Sequence, residues 1–200
     1  MKILNLYAGI GGNRKLWGNN HQVTSIEYSP EIAEVYKLNY PNDEVIIADA
    51  HKYLLDHSNN FDFIWSSPPC QSHSRMIRSG RNRKPRYPDL KLYEEILFLQ
   101  HNFRGKWVVE NVIPYYTPLI SPTQKLGRHL FWANFNIPHI ETPSFKNFIS
   151  DQNLTAKRKL QDWLGIHYEK NIYYEGNHCP TQILRNALHP SIGEHIIKQL

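Results

Sequence analysis

The stretch Lys2-Ile3-Leu4-Asn5-Leu6-Tyr7-Ala8-Gly9-Ile10-Gly11-Gly12 joins a short apolar run to a glycine-rich turn. The run Lys2–Tyr7 has the length and composition of a buried strand in a parallel sheet. Gly9 and Gly11 allow the backbone to turn tightly and to approach a ligand, with the N-terminus of a helix behind them. A simple tight turn without a ligand is the alternative, so the rest of the chain must decide between the two.

The strand pattern recurs along the chain and alternates with helical patterns. The further apolar runs are Gln22–Glu27, Glu44–Ala48, Phe61–Ser66 and Lys106–Glu110. Alternation of strand and helix predicts an α/β fold, with a doubly wound, Rossmann-like arrangement around a mostly parallel central sheet. A length of 200 residues fits one domain, so we expect residues 1–200 to fold together.

Helix signals lie between and after these runs. Ser29 is predicted to be an N-cap and Pro30 to occupy the first helical position. An amphipathic pattern with helical spacing begins at Leu90 and continues to Leu99. The remaining predicted elements are a strand or hairpin over Arg128–Asn136, a helix over Ala156–Leu164 capped by Thr155, and a last helix over Pro190–Leu200.

Composition excludes several classes of protein. Hydrophobic residues make up 40% and aromatic residues 12% of the chain, so a disordered chain is excluded. No stretch approaches the roughly 18 consecutive apolar residues of a membrane helix, and the N-terminus has no signal-peptide core. The two cysteines, Cys70 and Cys179, cannot form a disulfide scaffold. We therefore expect a cytoplasmic protein of prokaryotic or phage-like type with reduced thiols and no membrane contact.

The positive charge is concentrated in one stretch. Between Arg75 and Lys91, seven cations accompany one acid, Asp89, so this stretch carries a net +6 in a chain of net charge +5. It has glycine and prolines but no apolar periodicity, which predicts a long loop. Such a loop attracts phosphate, and its binding should weaken with salt. A solvated surface loop without a ligand is the alternative.

Acidic residues follow the second and third strand patterns, where a parallel sheet binds its ligands. Glu27 lies 18 residues after Gly9, close to the offset of about 20 residues at which an acid binds ribose hydroxyls. Asp49 is placed to accept a hydrogen bond from an adenine amino group. Arg14 stands at the third glycine position of a dinucleotide fingerprint, which argues against NAD. Together these residues favour an adenosine-containing ligand without a pyrophosphate.

Two further motifs follow the fourth and fifth strand patterns. Pro68-Pro69-Cys70-Gln71 presents a thiol from a backbone stiffened by two prolines. Glu110-Asn111-Val112 places an acid beside that thiol, across the sheet. The alternatives are a buried structural Cys70, a solvent carboxylate at Glu110, and a zinc site. The zinc site would combine Cys70 with His73 and the distant His178-Cys179, which lacks paired Cys-x-x-Cys spacing, so no metal is expected.

Taken in order, the glycine turn, Glu27, Asp49, the Pro-Pro-Cys-Gln motif and the Glu-Asn-Val motif resemble those of the DNA cytosine-5 methyltransferase family. The segment Leu160–Leu164 is similar to the helix that follows the family's recognition region. The segment Gln182–Pro190 is similar to its last motif. The resemblance covers nearly the whole chain and implies the fold of S-adenosylmethionine-dependent methyltransferases.

The resemblance implies roles for individual residues. Cys70 would add to carbon 6 of a flipped-out cytosine in double-stranded DNA, Glu110 would hold ring nitrogen 3, and Arg128 would lower the pKa of the thiol. The residues implied for S-adenosylmethionine are Tyr7, Gly9 and Gly11 at the methionine, Glu27 at the ribose, Asp49 at the adenine, and Pro69 and Asn186 around the pocket. The residues implied for DNA are Gln71, Ser74, Arg75, Arg78, Arg81 and Arg83.

Some positions depart from the family pattern. Gln124–His129 stands where the family has Gln-x-Arg-x-Arg, so the residue with the arginine role is left open. Arg185 replaces a glycine of the last motif. Residues 134–154 form only a vestigial target-recognition segment, which predicts a short or relaxed target site. The alternatives are an RNA (tRNA) cytosine-5 methyltransferase and a non-catalytic subunit that needs a partner for DNA recognition.

Overall fold

The computed structural model describes residues 1–78, 87–145, 154–173 and 179–200, and only the backbone of residues 77, 78 and 154. A seven-stranded sheet runs through the molecule in the order β3-β2-β1-β4-β5-β7-β6. The strands are β1 (Lys2–Leu6), β2 (Gln22–Glu27), β3 (Glu44–Ile47), β4 (Phe63–Ser66), β5 (Lys106–Val112), β6 (Gln124–Leu126) and β7 (His129–Ala133).

Helices cover the sheet on both faces. The α-helices are α1 (Pro30–Asn39), α2 (Ala50–His57), α3 (Lys91–Asn102), α4 (Leu154–Leu164), α5 (Gln182–Asn186) and α6 (Pro190–Ile197). Two short 3-10 helices, Ser58–Asn60 and Arg75–Arg78, complete the set within the described ranges. The α/β fold with a mostly parallel central sheet is therefore confirmed. Within the described part of the chain, no helix is both long and apolar enough to span a membrane.

The parallel register of the first five strands positions the site. Leu6 of β1 lies opposite both Ile26 of β2 and Ser66 of β4, and Ser66 lies opposite Val109 of β5. All five strands run in the same direction, so their carboxyl ends lie at one edge of the sheet. The segments that follow Leu6, Glu27, Ile47, Ser66 and Val112 begin at that edge.

The last two strands close the sheet as a hairpin. β7 pairs antiparallel with β5 on one side and with β6 on the other. Gly127, with φ of +57°, turns the chain between β6 and β7. The strand expected over Arg128–Asn136 is thus the five-residue β7, and its hairpin partner β6 lies before it in the chain.

The core lies on both faces of the sheet because side chains alternate along each strand. On β5, Val109 packs with Leu92, Ile96 and Leu99 of α3, whereas Val108 faces the opposite cluster with Ile192 and Ile196 of α6. A third cluster joins α1, α4 and α5 around Ile10 of the glycine turn. The turn is thereby packed against helices from both ends of the chain.

Helix ends agree with the sequence in one case and differ in two. Ser29 is the N-cap of α1, and its Oγ accepts a hydrogen bond from the backbone N–H of Ile32 at 3.4 Å. The prediction that Thr155 caps α4 is wrong, because the helix already includes Leu154. α6 ends at Ile197 rather than Leu200, since the amides of Gln199 and Leu200 bond three residues back in tighter turns.

Arg14, which stands where a dinucleotide fingerprint has glycine, has a structural role. Its Nε and Nη2 atoms lie 2.8 and 2.9 Å from the two carboxylate oxygens of Asp43. The same carboxylate accepts a hydrogen bond from the hydroxyl of Tyr36 at 2.8 Å, and Tyr36 in turn contacts Ser25 of β2. Both charged groups are buried, so this bidentate pair anchors the end of the glycine turn to β2 and α1.

Gly193 in α6 gives a test of this packing. A Cβ atom at this position would lie 2.0 Å from the carbonyl oxygen of Asn13. The variant Gly193→Ala should therefore unfold more easily by about 1–3 kcal/mol, the usual range for overpacking, although alanine is the better helix former. Chemical denaturation with circular dichroism measures this difference.

Glu194→Ala on the same helix is the matched control. It removes the Glu194–Lys198 pair, whose Nζ–Oε1 distance is 2.6 Å, and such pairs contribute only about 0.2–0.5 kcal/mol. A Gly193→Ala protein as stable as the control would contradict the close approach of α6 to the glycine turn.

Candidate active site

The glycine turn after β1 has a backbone that glycine favours. Gly9 and Gly11 have φ values of +55° and +79°, and Tyr7 before them also has a φ of +55°. A Cβ atom at Gly11 would lie 2.2 Å from a ring carbon of Tyr40, whose hydroxyl donates to the Gly11 carbonyl oxygen at 2.7 Å. Gly11 therefore faces Tyr40, whereas Gly9 and Gly12 face the cleft described below.

Glu27 connects the ends of β1 and β2. Its Oε2 accepts a hydrogen bond from the N–H of Gly9, and its Oε1 accepts one from the N–H of Ser29, each at 2.9 Å. Burial nevertheless outweighs these hydrogen bonds and raises the pKa of Glu27. Each oxygen keeps a second lone pair, so the carboxylate can still accept hydrogen bonds from ligand hydroxyls.

Asp49, after β3, is the N-cap of α2. Its Oδ1 accepts a hydrogen bond from the backbone N–H of Lys52 at 2.9 Å. The side chain is exposed on the cleft, and its other oxygen has no hydrogen bond among the described residues. Asp49 therefore presents a fixed carboxylate oxygen at the same edge of the sheet as Glu27.

A buried carboxylate that sequence reasoning missed supports this half of the cleft. Glu95 of α3 is fully buried, and its oxygens accept hydrogen bonds from the hydroxyls of Tyr7 and Ser66, each at 2.6 Å. His51 of α2 lies 3.1 Å from the same carboxylate, which raises the pKa of the imidazole. Glu95 thus fixes Tyr7 relative to α2, β4 and α3.

The segment after β4 presents Cys70 from a fixed backbone. The Asn111 side chain donates to the carbonyl oxygen of Pro68 at 2.9 Å, which connects this segment to the end of β5. The amides of His73 and Ser74 donate to the carbonyl oxygen of Cys70 at 3.0 and 2.9 Å. The carbonyl groups of Pro68 and Cys70 are thereby held, and Cys70 faces the cleft.

Arg128 lowers the pKa of Cys70 as predicted, but the net pKa of the thiol is raised rather than lowered. Burial and the nearby carboxylate of Glu110 raise the pKa of the thiol to about 11. Arg128 does act in the expected direction, but it does not offset the other two. The thiol is therefore protonated at neutral pH.

Glu110 lies at the end of β5 and is paired with His129, which sequence reasoning had not assigned. Its Oε1 forms a short hydrogen bond with Nδ1 of His129. Burial favours the protonated acid, but His129, Ser67 and Arg128 together outweigh burial and hold the pKa of Glu110 below its usual range. The position of His129 within the Gln124–His129 segment was the only sequence signal for this pair.

The last motif forms the opposite wall of the cleft. The guanidinium of Arg128 donates to the backbone carbonyl of Arg185, so the β6–β7 turn is connected to α5. Asn186 is exposed on the cleft, and its side-chain oxygen accepts a hydrogen bond from Gln182 at 2.7 Å. Arg185 is buried in this wall, at the position where the family pattern has glycine.

The cleft has a volume of about 1050 Å³ and brings most of the expected residues together. Arg75 is exposed and outside its lining, with its Nε 3.3 Å from the carbonyl oxygen of Pro114. The expected residues that line it are Tyr7, Gly9, Glu27, Asp49, Pro69, Cys70, Gln71, Ser74, Glu110, Arg128 and Asn186. Lining residues not expected from the sequence include Gly12, Asn13, Tyr28, His73 and His129.

The remaining DNA-binding expectations fall on the basic stretch. Arg81 and Arg83 lie outside the described residues, as does the side chain of Arg78. His178, invoked for a zinc site, lies outside them too. Among the residues that the structure describes, no group of three His, Cys, Asp or Glu side chains could hold a metal ion.

Comparison with known proteins agrees with this constellation. The family described as C-5 cytosine-specific DNA methylase matches residues 1–114, which include the glycine turn, Glu27, Asp49, Cys70 and Glu110. The chain belongs to this family. The cofactor of the chain is S-adenosylmethionine.

Two curated relatives are similar to parts of this chain. The tRNA (cytosine(38)-C(5))-methyltransferase of Homo sapiens is 30% identical over 86 residues, 40% of this chain and 22% of that protein. The type II methyltransferase M1.HphI of Haemophilus parahaemolyticus is 30% identical over 126 residues, 58% and 34% respectively. The chain therefore spans about a fifth to a third of the length of these curated relatives.

A solved structure of a mutant of Spodoptera frugiperda DNMT2 also matches. It is 27% identical, with a TM-score of 0.38, and the match covers 56% of this chain and 35% of that one.

The cleft residues of this C-5 methylase fit S-adenosylmethionine. A Cβ atom built at Gly9 meets no atom within 4 Å, so the backbone there is open to a ligand. Glu27 and Asp49 supply carboxylate oxygens for hydroxyl and amino groups, and the exposed ring of Tyr28 lies beside them. These acceptors suit a nucleoside, since ribose hydroxyls and the adenine amino group donate hydrogen bonds.

The two cysteines should differ in reactivity. With the pKa of Cys70 near 11, its thiolate fraction at neutral pH is about a hundredfold smaller than that of an ordinary thiol. Around Cys179, Thr181 and Arg185 outweigh burial and lower the pKa. Iodoacetamide at neutral pH should therefore modify Cys179 first, as peptide mass spectrometry would show.

Arg128→Gln and Lys125→Gln form a matched pair for this measurement. Loss of Arg128 should slow alkylation of Cys70 further, because its charge favours the thiolate, whereas Lys125 is exposed on β6. Alkylation of Cys70 ahead of Cys179 in the free protein would contradict the raised pKa.

Glu27→Gln tests the carboxylate that connects β1 and β2. The amide NH2 replaces one oxygen that now accepts a hydrogen bond from a backbone N–H, so two donors would face each other. Hydrogen bonds to charged groups contribute about 1.5–3 kcal/mol, so affinity for S-adenosylmethionine should fall by at least about tenfold in calorimetry. Glu31→Gln, exposed in α1, should bind as the wild type does.

Proposed function

We propose that the chain transfers a methyl group from S-adenosylmethionine to carbon 5 of cytosine in DNA, through a covalent adduct on Cys70. The observation that supports this most is that Cys70 and Glu110 line the same cleft as Glu27 and Asp49. A cleft of about 1050 Å³ has room for a cofactor and a base side by side. In this arrangement the donor methyl group and the attacked ring would meet inside one cavity.

Residues at the ends of β1, β2 and β3 would hold the cofactor. We assign Tyr7 and Gly9 to the methionine part, Glu27 to the ribose hydroxyls and Asp49 to the adenine amino group. Gly11 would act indirectly, since it shapes the turn against Tyr40. Pro69 and Asn186 line the same cleft and would border the cofactor. When bound, S-adenosylmethionine supplies an electrophilic methyl group.

Cys70 would act on a cytosine flipped out of the stack. Its S–H bond breaks as a bond forms between sulfur and carbon 6, and the electrons of the C5–C6 double bond make carbon 5 nucleophilic. After methylation, a base removes the proton from carbon 5, the sulfur–carbon bond breaks and the C5–C6 double bond forms again. A thiol that is protonated at neutral pH suits a step in which the proton leaves sulfur as the new bond forms, rather than a preformed thiolate.

Glu110 would act on the pyrimidine ring itself. Protonation or hydrogen bonding at ring nitrogen 3 offsets the charge that develops as sulfur adds. Arg128, on the turn between β6 and β7, would stabilise the anionic sulfur as it leaves.

The basic stretch from Arg75 to Lys91 would bind the DNA backbone, with Gln71 and Ser74 close to the vacated base position. Phosphate contacts position a protein on DNA, whereas base contacts give sequence specificity. Residues 134–154 leave little chain for base contacts, so we expect a short or relaxed target site.

tRNA is the second candidate substrate, because the matched human relative is a tRNA (cytosine(38)-C(5))-methyltransferase. The catalytic step would be the same on either nucleic acid. A C-5 methylase chain that needs a separate recognition subunit is the third possibility and would leave the purified chain without turnover.

Covalent trapping tests the proposal. Duplex DNA with randomised sequence and 5-fluorocytosine should form a denaturation-resistant adduct with the chain when S-adenosylmethionine is present, because fluorine cannot leave as a cation. The adduct is measured by gel shift under denaturing conditions. tRNA transcribed with 5-fluorocytidine is tested in parallel.

Two cysteine variants identify the nucleophile. Cys70→Ser should abolish the adduct, whereas Cys179→Ser should form it as the wild type does. Trapping on tRNA alone would favour the second substrate. Trapping on neither nucleic acid, both with and without cell extract to supply a partner, or equal trapping by Cys70→Ser, would overturn the proposed chemistry.

A further inference from the structure

The pairing of Glu110 with His129 results from the register of β5 and β7. In the antiparallel pair β5–β7, Val112 lies opposite His129, and Glu110 lies opposite Phe131. Glu110 and His129 are therefore diagonal neighbours on one face of the sheet, which is close enough for long side chains to meet. The imidazole Nδ1 bonds to the carboxylate Oε1.

The pair is shielded from water and still open to the cleft. His129 and Glu110 are only 5% and 7% exposed, and both line the cleft. The ring of Phe131 lies 6.5 Å from the imidazole, centroid to centroid. The pair is therefore accessible mainly from the cleft.

We propose that His129 is a positioning residue for methyl transfer, which holds a proton in reserve for Glu110 and thereby makes the reaction dependent on pH. The inference rests on the proposed function. An arginine partner could hold the carboxylate but could not release a proton, whereas an imidazole can do both.

The proton balance of the addition step follows from this arrangement. The pair begins with one proton and gives it to ring nitrogen 3 of cytosine as sulfur bonds to carbon 6. It then takes up the proton that leaves the thiol of Cys70, so the pair ends as it began. A pair that has lost its proton at high pH cannot make the first transfer.

Charged or titratable groups face the Glu110–His129 pair from the described elements packed against it. Arg128 faces it from the β6–β7 turn and Cys70 from the segment after β4, and Ser67 adds a hydrogen bond to Glu110. Arg185 lines the same cleft from α5. Burial and the carboxylate of Glu110 raise the pKa of the Cys70 thiol to about 11. A loss of rate on the alkaline side below that pH therefore reports the Glu110–His129 pair.

The test is the pH profile of kcat/KM for the variant His129→Asn, compared with the wild type. Asparagine places an amide donor near the position of Nδ1 but cannot titrate. We expect the rate to fall by about 10²-fold or more, within the usual range for a lost general acid. We also expect the wild type to lose rate on the alkaline side and the variant not to. Trapping on 5-fluorocytosine DNA over the same pH range isolates the addition step.

Controls separate the possible outcomes. His195→Asn changes a histidine of α6 that bonds to the carbonyl of Pro138, and it should keep the wild-type profile. Binding of S-adenosylmethionine shows that a variant is folded. If His129→Asn does not bind S-adenosylmethionine, His129→Gln takes its place. An active wild type whose profile is unchanged in the variant overturns this inference alone. An inactive wild type overturns the proposed function as well.

Discussion

The register between β1 and β4 is the constraint on which the site depends. Leu6 lies opposite Ser66, so the glycine turn and the Pro-Pro-Cys-Gln segment leave the sheet side by side. A shift of one residue would send every side chain of one strand to the other face and bury different groups. The hydrogen bonds of Glu95 to both Tyr7 and Ser66 would be lost in any other register, so this buried carboxylate also specifies the pairing.

Side-chain hydrogen bonds hold the backbone in place where the strands end. Glu27 holds the amides of Gly9 and Ser29, and Asn111 holds the carbonyl of Pro68, so the glycine turn and the Pro-Pro-Cys-Gln segment are each connected to a neighbouring strand. A buried polar group without a partner costs about 1–3 kcal/mol, which gives these contacts stability as well as geometry. The site is therefore positioned before any ligand is bound.

Structural features that depend on the local sequence pattern could be predicted from the sequence. The apolar runs located β1 to β5, and the residues after them, Glu27, Asp49 and Cys70, could be placed at one edge because parallel strands end together. The partner of Glu110 could not be predicted in this way. His129 lies 19 residues further on, and only the antiparallel register of β7 brings the two together.

The sequence pattern also did not reveal which polar side chains are buried. The amphipathic pattern of α3 identified its apolar face but did not show that Glu95 lies on it, satisfied by three partners. In the same way, the positive charge near Cys70 was predicted correctly as Arg128, but the sign of the net pKa shift depends on burial and on Glu110. The sign of a pKa shift that results from opposing effects can be determined only from the three-dimensional surroundings of the group.

The two edges of the sheet have a consequence for association between molecules. β3 has four residues and β6 has three, so each offers only a short row of free backbone groups to another chain. Exposed charges stand on both, Glu44 on β3 and Lys125 on β6. Short, charged edge strands disfavour edge-to-edge pairing between sheets. The architecture that opens the cleft at one end of the strands thus also limits aggregation along the sides of the sheet.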